Sequence, residues 1–196
     1  MIEVTQFKGK LGVFGRAQPA QTPPTLHQLR KSYMISVRRL RIGEGELYKQ
    51  IRLASLQESP YAFSSTYASA LKRSPESWSE QADNSAGGPD RATFIAFSGD
   101  SPIGLAALYR DKEGADTGEV LQVWVSPEYR GKGVAVSIMD ALFRWARENG
   151  FRRVKAGINP GNIRAVRFYL KYGFRIVSGG GHLVYFPSKS PHFHQR

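Results

Sequence analysis

The run Val123-Trp-Val-Ser-Pro-Glu-Tyr-Arg130-Gly-Lys-Gly133-Val-Ala-Val136 concentrates residues that can hold an anion. An apolar β-prone stretch leads into a turn, and an apolar segment of helical period begins at Val134. A helix start carries unpaired N–H donors and about half a positive charge. Gly131, Gly133 and the small Ala135 remove side chains that would keep an anion from those donors, and Arg130 and Lys132 add charge. The construction suits a pyrophosphate. The same glycines also suit a turn that needs only positive φ, so on this segment alone both readings stand. Two other phosphate loops are excluded. The Lys-Ser/Thr pair of a P-loop is missing, and the third glycine of the dinucleotide fingerprint falls on Val136.

The elements that must position this segment are legible from periodicity. Residues 34–40 alternate as a strand. Residues 46–57 place Leu47, Ile51 and Ala54 on one helical face. A second helix opens at Ser74-Pro75-Glu76, with Ser74 as cap, Pro75 suited to the first turn and Glu76 at the positive end. Residues 84–89 are a loop by composition. Residues 93–97 and 103–109 read as a hairpin, and 119–125 as a third strand. Residues 134–149 form a helix whose polar stripe is Ser137, Asp140, Arg144 and Arg147. A strand at 153–158, a helix at 163–172 with Arg164, Arg167 and Lys171 outward, and a strand at 182–186 complete the pattern. Strands that first meander and then alternate with helices predict an α/β protein with a mixed sheet covered by helices.

Composition bounds the chemistry. The 196 residues contain no Cys, which removes disulfides, thiolate metal sites and a cysteine nucleophile together. Three of the four His, at 182, 192 and 194, lie in the last fifteen residues and make no convincing metal site, so no metal is expected. A net charge of +12 favours an anionic partner and says nothing about fold. Residues 1–33 hold five of the basic residues against Glu3 alone, with Pro, Gln and Thr and no lasting period. They read as a flexible basic extension, or a leader before a start at Met34. The folded domain is expected at 34–187 and a tail at 188–196. No apolar run suits a bilayer crossing and no secretory signal is visible, so a cytoplasmic protein without membrane partners is expected.

A second segment settles between the readings of the first: Asn159-Pro-Gly-Asn162-Ile-Arg-Ala165-Val-Arg-Phe168-Tyr169-Leu-Lys171-Tyr-Gly173-Phe174. Together the two resemble the GNAT superfamily of acetyl-CoA-dependent N-acetyltransferases. Arg130, Gly133 and Ala135 match the family's acyl-CoA loop, preceded by Val125 and Pro127. Asn162, Ala165, Phe168, Tyr169, Lys171, Gly173 and Phe174 match its second motif. The likeness covers about residues 34–186, and Ser59-Pro-Tyr-Ala-Phe63 is also similar to many small members. It implies a GNAT-like fold, with a central sheet splayed open between its fourth and fifth strands and flanked by helices.

The resemblance also implies a site. Acetyl-CoA is the cosubstrate and an amine the acceptor. Pantetheine would lie along the backbone of Val123, Trp124 and Val125, held through Val123 and Val125. The diphosphate would rest on the N–H groups of Gly131, Lys132, Gly133, Val134, Ala135 and Val136, beside Arg130. Asn162 would meet the cofactor from the other side. Tyr169 is the candidate general acid and Glu119 the candidate base. A Glu that one subgroup places five residues before the Asn is Gly157 here, which argues against acetylation of a protein N-terminus. Tyr61, Phe63 and Tyr67 are either an acceptor wall or core. The positive charge argues against polyamine or aminoglycoside acceptors unless acids such as Glu44, Glu46 and Glu58 cluster. A homodimer is common in similar proteins. Two other classes compete: an acyl-CoA sensor without turnover, and a basic nucleic-acid-associated protein, for which no recognition signature appears.

Overall fold

A computed structural model describes residues 34–112, 114–159, 161–176 and 182–185. The expected basic extension and the C-terminal tail, with His192 and His194, lie outside these residues. Strand β1 (Ile35–Arg39) precedes helix α1 (Gly45–Glu58), a 3-10 turn (Pro60–Ala62), a short helix α2 (Tyr67–Leu71) and α3 (Pro75–Ala86). Strands β2 (Arg91–Ser98), β3 (Ser101–Arg110) and β4 (Thr117–Val125) follow as a meander. The chain continues through α4 (Val134–Glu148), β5 (Arg153–Gly157), α5 (Ile163–Tyr172), β6 (Arg175–Ile176) and β7 (His182–Tyr185). The sheet order is β1-β2-β3-β4-β5-β7-β6. Only β4 and β5 run parallel, and every other adjacent pair is antiparallel.

Each helix sits where its apolar face is satisfied. α4 turns Val134, Ile138, Met139, Leu142, Phe143 and Ala146 into a core shared with β2, β3 and α5. On the opposite face, Tyr48, Ile51 and Leu56 of α1 and Trp78 and Ala82 of α3 pack on Ile95, Leu105 and Trp124. The sheet is thus a layer between α1–α3 and α4–α5, as its alternating pattern requires.

Three local features depart from the sequence reading. α3 continues through Asn84 and Ser85 to Ala86, where a loop is expected. Its free carbonyl end is satisfied from outside, because the Arg39 guanidinium donates to the carbonyls of Ser85, Gly87, Gly88 and Arg91 at 2.7–3.0 Å. α2 is an addition, nucleated by a reciprocal cap in which Ser69 N–H donates to Thr66 Oγ1 and Thr66 N–H to Ser69 Oγ. β4 contains a bulge. Leu105 faces Trp124 and Ala107 faces Leu121, so Gln122 and Val123 together oppose Ala106. Gln122 takes φ +59°, rare for a residue with a side chain, and Tyr48 Oη donates to its Oε1 at 3.0 Å.

β4 and β5 pair only from Thr117/Arg153 to Glu119/Lys155 and then part. That is the splay between the fourth and fifth strands. Close packing fixes it from below: a Cβ on Gly118 would lie 2.8 Å from Leu108 Cδ2 and 2.9 Å from the Phe151 ring. Gly118→Ala is expected to cost about 1–3 kcal/mol, as overpacking of a filled core does. The check is a lower urea midpoint at unchanged m-value.

Candidate active site

The loop after β4 is built as a set of unpaired donors. Gly131 and Gly133 have φ of +77° and +82°. A Cβ on either would meet nothing within 4 Å, so these glycines serve the backbone conformation rather than space in the protein as it stands. Gly133 caps α4 without a side-chain bond, and the first helical bond is Ser137 N–H to Gly133 O at 3.0 Å. Among the described residues no acceptor takes the N–H groups of Gly131, Lys132, Gly133, Val134, Ala135 or Val136. Val134 is buried and pins the turn, while Gly131, Lys132, Gly133 and Val136 are exposed. The Lys132 ammonium lies 5.5 Å from the Tyr129 ring centre, beside the loop.

Arg130 does not display its guanidinium over this loop. Nε donates to Val125 O at 2.7 Å, and Nη2 is paired with Glu58 at the C-terminal end of α1. Glu58 Oε2 also accepts the Trp124 indole N–H at 2.9 Å and the Ser59 hydroxyl. Led by the bond from Arg130, these donors hold the Glu58 carboxyl down at about 2. Glu44 and Glu46 do not join it, being spent on Arg38 and Lys49, so the suggested acidic cluster does not form.

Along β4 the main chain alternates. Ser126 N–H donates to Ile103 O, so the groups of Trp124 turn to β3 and those of Val123 and Val125 to the open side. Trp124 therefore contributes its ring to the cleft wall but not its main chain. Glu119 is half-buried at the last β4–β5 pair, on the sheet face it shares with Tyr109 and Lys155. Gln81 Nε2 of α3 donates to Tyr109 Oη at 3.1 Å, so this is the α1–α3 face.

Tyr169 lies on the other side, 6% exposed, with its ring 4.9 Å from Phe174 and 5.4 Å from Phe168. Burial raises its hydroxyl pKa, which keeps it protonated throughout the physiological range. Asn162 caps α5, its Oδ1 accepting the Ala165 N–H at 3.1 Å. One cleft of about 1710 Å³ is lined by Glu119, Val123, Val125, Gly131, Gly133, Asn162 and Tyr169 together with Arg52, Tyr61 and Phe63. It draws its walls from both faces of the sheet, so it passes through at the fork. Tyr67 packs with the α1 core instead.

A family model described as the acetyltransferase (GNAT) family matches residues 54–174. The chain belongs to this family. Its sequence is similar to an uncharacterized N-acetyltransferase of Mycobacterium tuberculosis, 37% identical over 88 residues, 45% of this chain and 55% of that protein. The chain spans about half the length of the curated relatives it matches, or less. Among solved structures it is similar to a GNAT acetyltransferase of Streptococcus pneumoniae, with a TM-score of 0.65 at 18% identity over 78% of this chain and 99% of that one. It is also similar to the PaiA N-acetyltransferase of Thermoplasma acidophilum in complex with coenzyme A, with a TM-score of 0.56 at 21% identity over 77% and 96%. These structural likenesses support the GNAT fold. No helix among the described residues is long and apolar enough to cross a membrane.

Glu58 has a measurable signature. A carboxyl lowered in the folded state stabilises it above the unfolded value, and that contribution fades as pH falls from the ordinary 4.5 towards about 2. The side chain is about one-third exposed, so screening keeps the effect modest. Glu58→Gln is expected to lower the denaturation midpoint at neutral pH, with the gap to wild type closing through that acid window.

Proposed function

We propose that the protein transfers an acetyl group from acetyl-CoA to a primary amine. The observation that carries this reading is the row of unpaired amides at residues 131–136, opening into a cleft that passes the fork and reaches Tyr169 and Glu119. The donor set fits the ligand: neutral N–H groups at a helix start suit a diphosphate, and the free main chain of Val123 and Val125 suits the amides of pantetheine. Val125 O is already shared with Arg130, so Val123 and the Val125 N–H carry most of that contact. Asn162, its Oδ1 spent on the cap, offers its Nδ2 to the cleft. Acetyl-CoA supplies an acyl group activated as a thioester. The CoA of the Thermoplasma acidophilum complex supports the choice of ligand.

The remaining steps belong to the side chains. A lysine-type amine, pKa about 10.4, is almost wholly protonated at neutral pH, and an α-amine near 7.7–8.0 less so. Glu119 takes that proton, directly or through water, leaving the nitrogen lone pair free. An N–C bond then forms as the C–S bond breaks, Tyr169 Oη gives its proton to the departing sulfur, and the proton that the acetylated nitrogen must still shed to become a neutral amide restores the Tyr169 hydroxyl. Burial keeps the proton on this hydroxyl until the sulfur leaves, while making the group a weaker acid than a free phenol. The surrounding rings of Phe168 and Phe174 exclude water from it.

Calorimetric titration with coenzyme A tests the reading, and absence of uptake by the folded protein would sink it. Tyr169→Phe is expected to lower kcat by roughly 10²-fold or more, in the range of general acid–base help, with coenzyme A affinity nearly intact. Glu119→Gln is expected to change the pH profile of kcat/KM, the variant losing most rate where the acceptor amine is protonated and recovering towards alkaline pH where it is already neutral. An unaltered profile would give the proton to another group.

A further inference from the structure

α1 carries a charge that its own fold does not answer. Arg52 is 6% exposed and lines the cleft on the α1–α3 face, the side on which Glu119 stands. Of its five N–H donors, one contact is met within hydrogen-bond reach: Nη1 donates to Ser55 Oγ at 3.2 Å, on the next turn of the same helix. Its guanidinium carbon lies 4.4 Å from the centre of the Phe63 ring, so one flat face is stacked and the donor edge is left over. Among the described residues no carboxylate forms an ion pair with it. The charged neighbour that acts on it is another cation, Arg73, itself stacked on Trp78 at 3.9 Å.

Its remaining donors are not sealed in the core and meet the water of the cleft, so holding this guanidinium without a carboxylate carries a partial cost, of which stacking on one ring offsets some. The acids at the two ends of α1 are committed elsewhere, Glu58 to Arg130 and Glu44 to Arg38. What is missing beside Arg52 is a planar anion able to take two parallel N–H bonds, and the opening towards it is the acceptor half of the cleft.

Resting on the acetyl-transfer reading above, we infer that the acceptor is an amino acid, and that Arg52 binds its carboxylate while Glu119 receives the proton of its amine. The two charges on the protein complement the two on a zwitterion. Tyr61 and Phe63 form the apolar wall along which the acceptor side chain lies.

The test uses matched pairs. The common L-amino acids and L-2,4-diaminobutyrate are presented as free acids and as carboxamides. They are titrated into the protein with and without saturating coenzyme A, and are offered with acetyl-CoA in a thiol-release assay. At least one free acid is expected to exceed its amide by about 10–100-fold in affinity or kcat/KM, the range of a hydrogen-bonded charge pair. Arg52→Gln is expected to remove that preference with coenzyme A affinity unchanged, and Arg52→Lys to retain part of it. The lysine variant also guards against a glutamine variant that does not fold. Equal use of acids and amides, a preference that survives in Arg52→Gln, or no acid bound by protein that takes up coenzyme A would each overturn the inference. Failure to bind coenzyme A would instead overturn acetyl transfer, and the titrations without it would still decide the role of Arg52.

Discussion

Everything in this protein follows from two parallel strands that pair for three residues and then part. Beyond Glu119 and Lys155, β4 and β5 no longer satisfy each other. Their facing backbone donors and acceptors open on the cleft, where they are left to water or to a ligand able to take its place. The gap is stabilised from both ends. Gly118 lets Leu108 and Phe151 close beneath it. The bulge at Gln122 bends β4 away above it, held in an unfavourable φ by the hydroxyl of Tyr48, 1% exposed in the α1 core. A helix packing on one face thereby sets the width of an opening that serves the other.

Because the cleft passes through the sheet, its two halves are built by different elements and must be kept in register. On the proposed reading the acetyl donor lies among α4, α5 and the loop of residues 130–133, and the acceptor among α1 and the turn after it. Glu58 joins them. It ends α1, accepts from Trp124 in β4 and pairs with Arg130 at the mouth of the amide loop. Arg130 in turn reaches back to Val125. Arg130 thus serves the loop by fixing its entry rather than by adding field over the anion. If the loop takes a diphosphate as proposed, the amides and Lys132 are left to supply the attraction.

Much of this was legible in the sequence wherever a local rule governs it. Ile163–Tyr172 begins at a capping Asn and ends at Gly173, φ +114°, so its limits are written in two residues. The amide loop was legible because Gly131 and Gly133 adjoin a helix start. What periodicity does not carry is distance along the chain. Arg39 extends α3 by satisfying carbonyls more than forty residues away, and nothing in Asn84-Ser-Ala86 announces it. Glu58 and Arg130 are 72 residues apart and Tyr48 and Gln122 are 74 apart. Each pair is two ordinary residues until the sheet exists. The bulge left no mark, since Gln is not a residue that signals positive φ. Arg52 had a faint one: it falls beside Ile51 and four residues after Tyr48, on the apolar side of α1, where an amphipathic helix would place no charge.

That misplacement is the argument for its use. A lysine at position 52 could snorkel or lose its proton to escape burial, but a guanidinium stays charged and stays planar. The stack on Phe63 removes its freedom to turn, so the edge that carries the remaining donors is aimed before anything arrives. Tyr169 on the far side of the fork reaches the same end by the opposite route, since burial there suppresses a charge instead of stranding one. On the proposed reading the cleft thus sets a permanent cation where an anion is wanted, and a hydroxyl that keeps its proton until the leaving sulfur takes it. Glu119, half-buried on the same side of the fork as Arg52, stands where the proposed reading brings the acceptor amine.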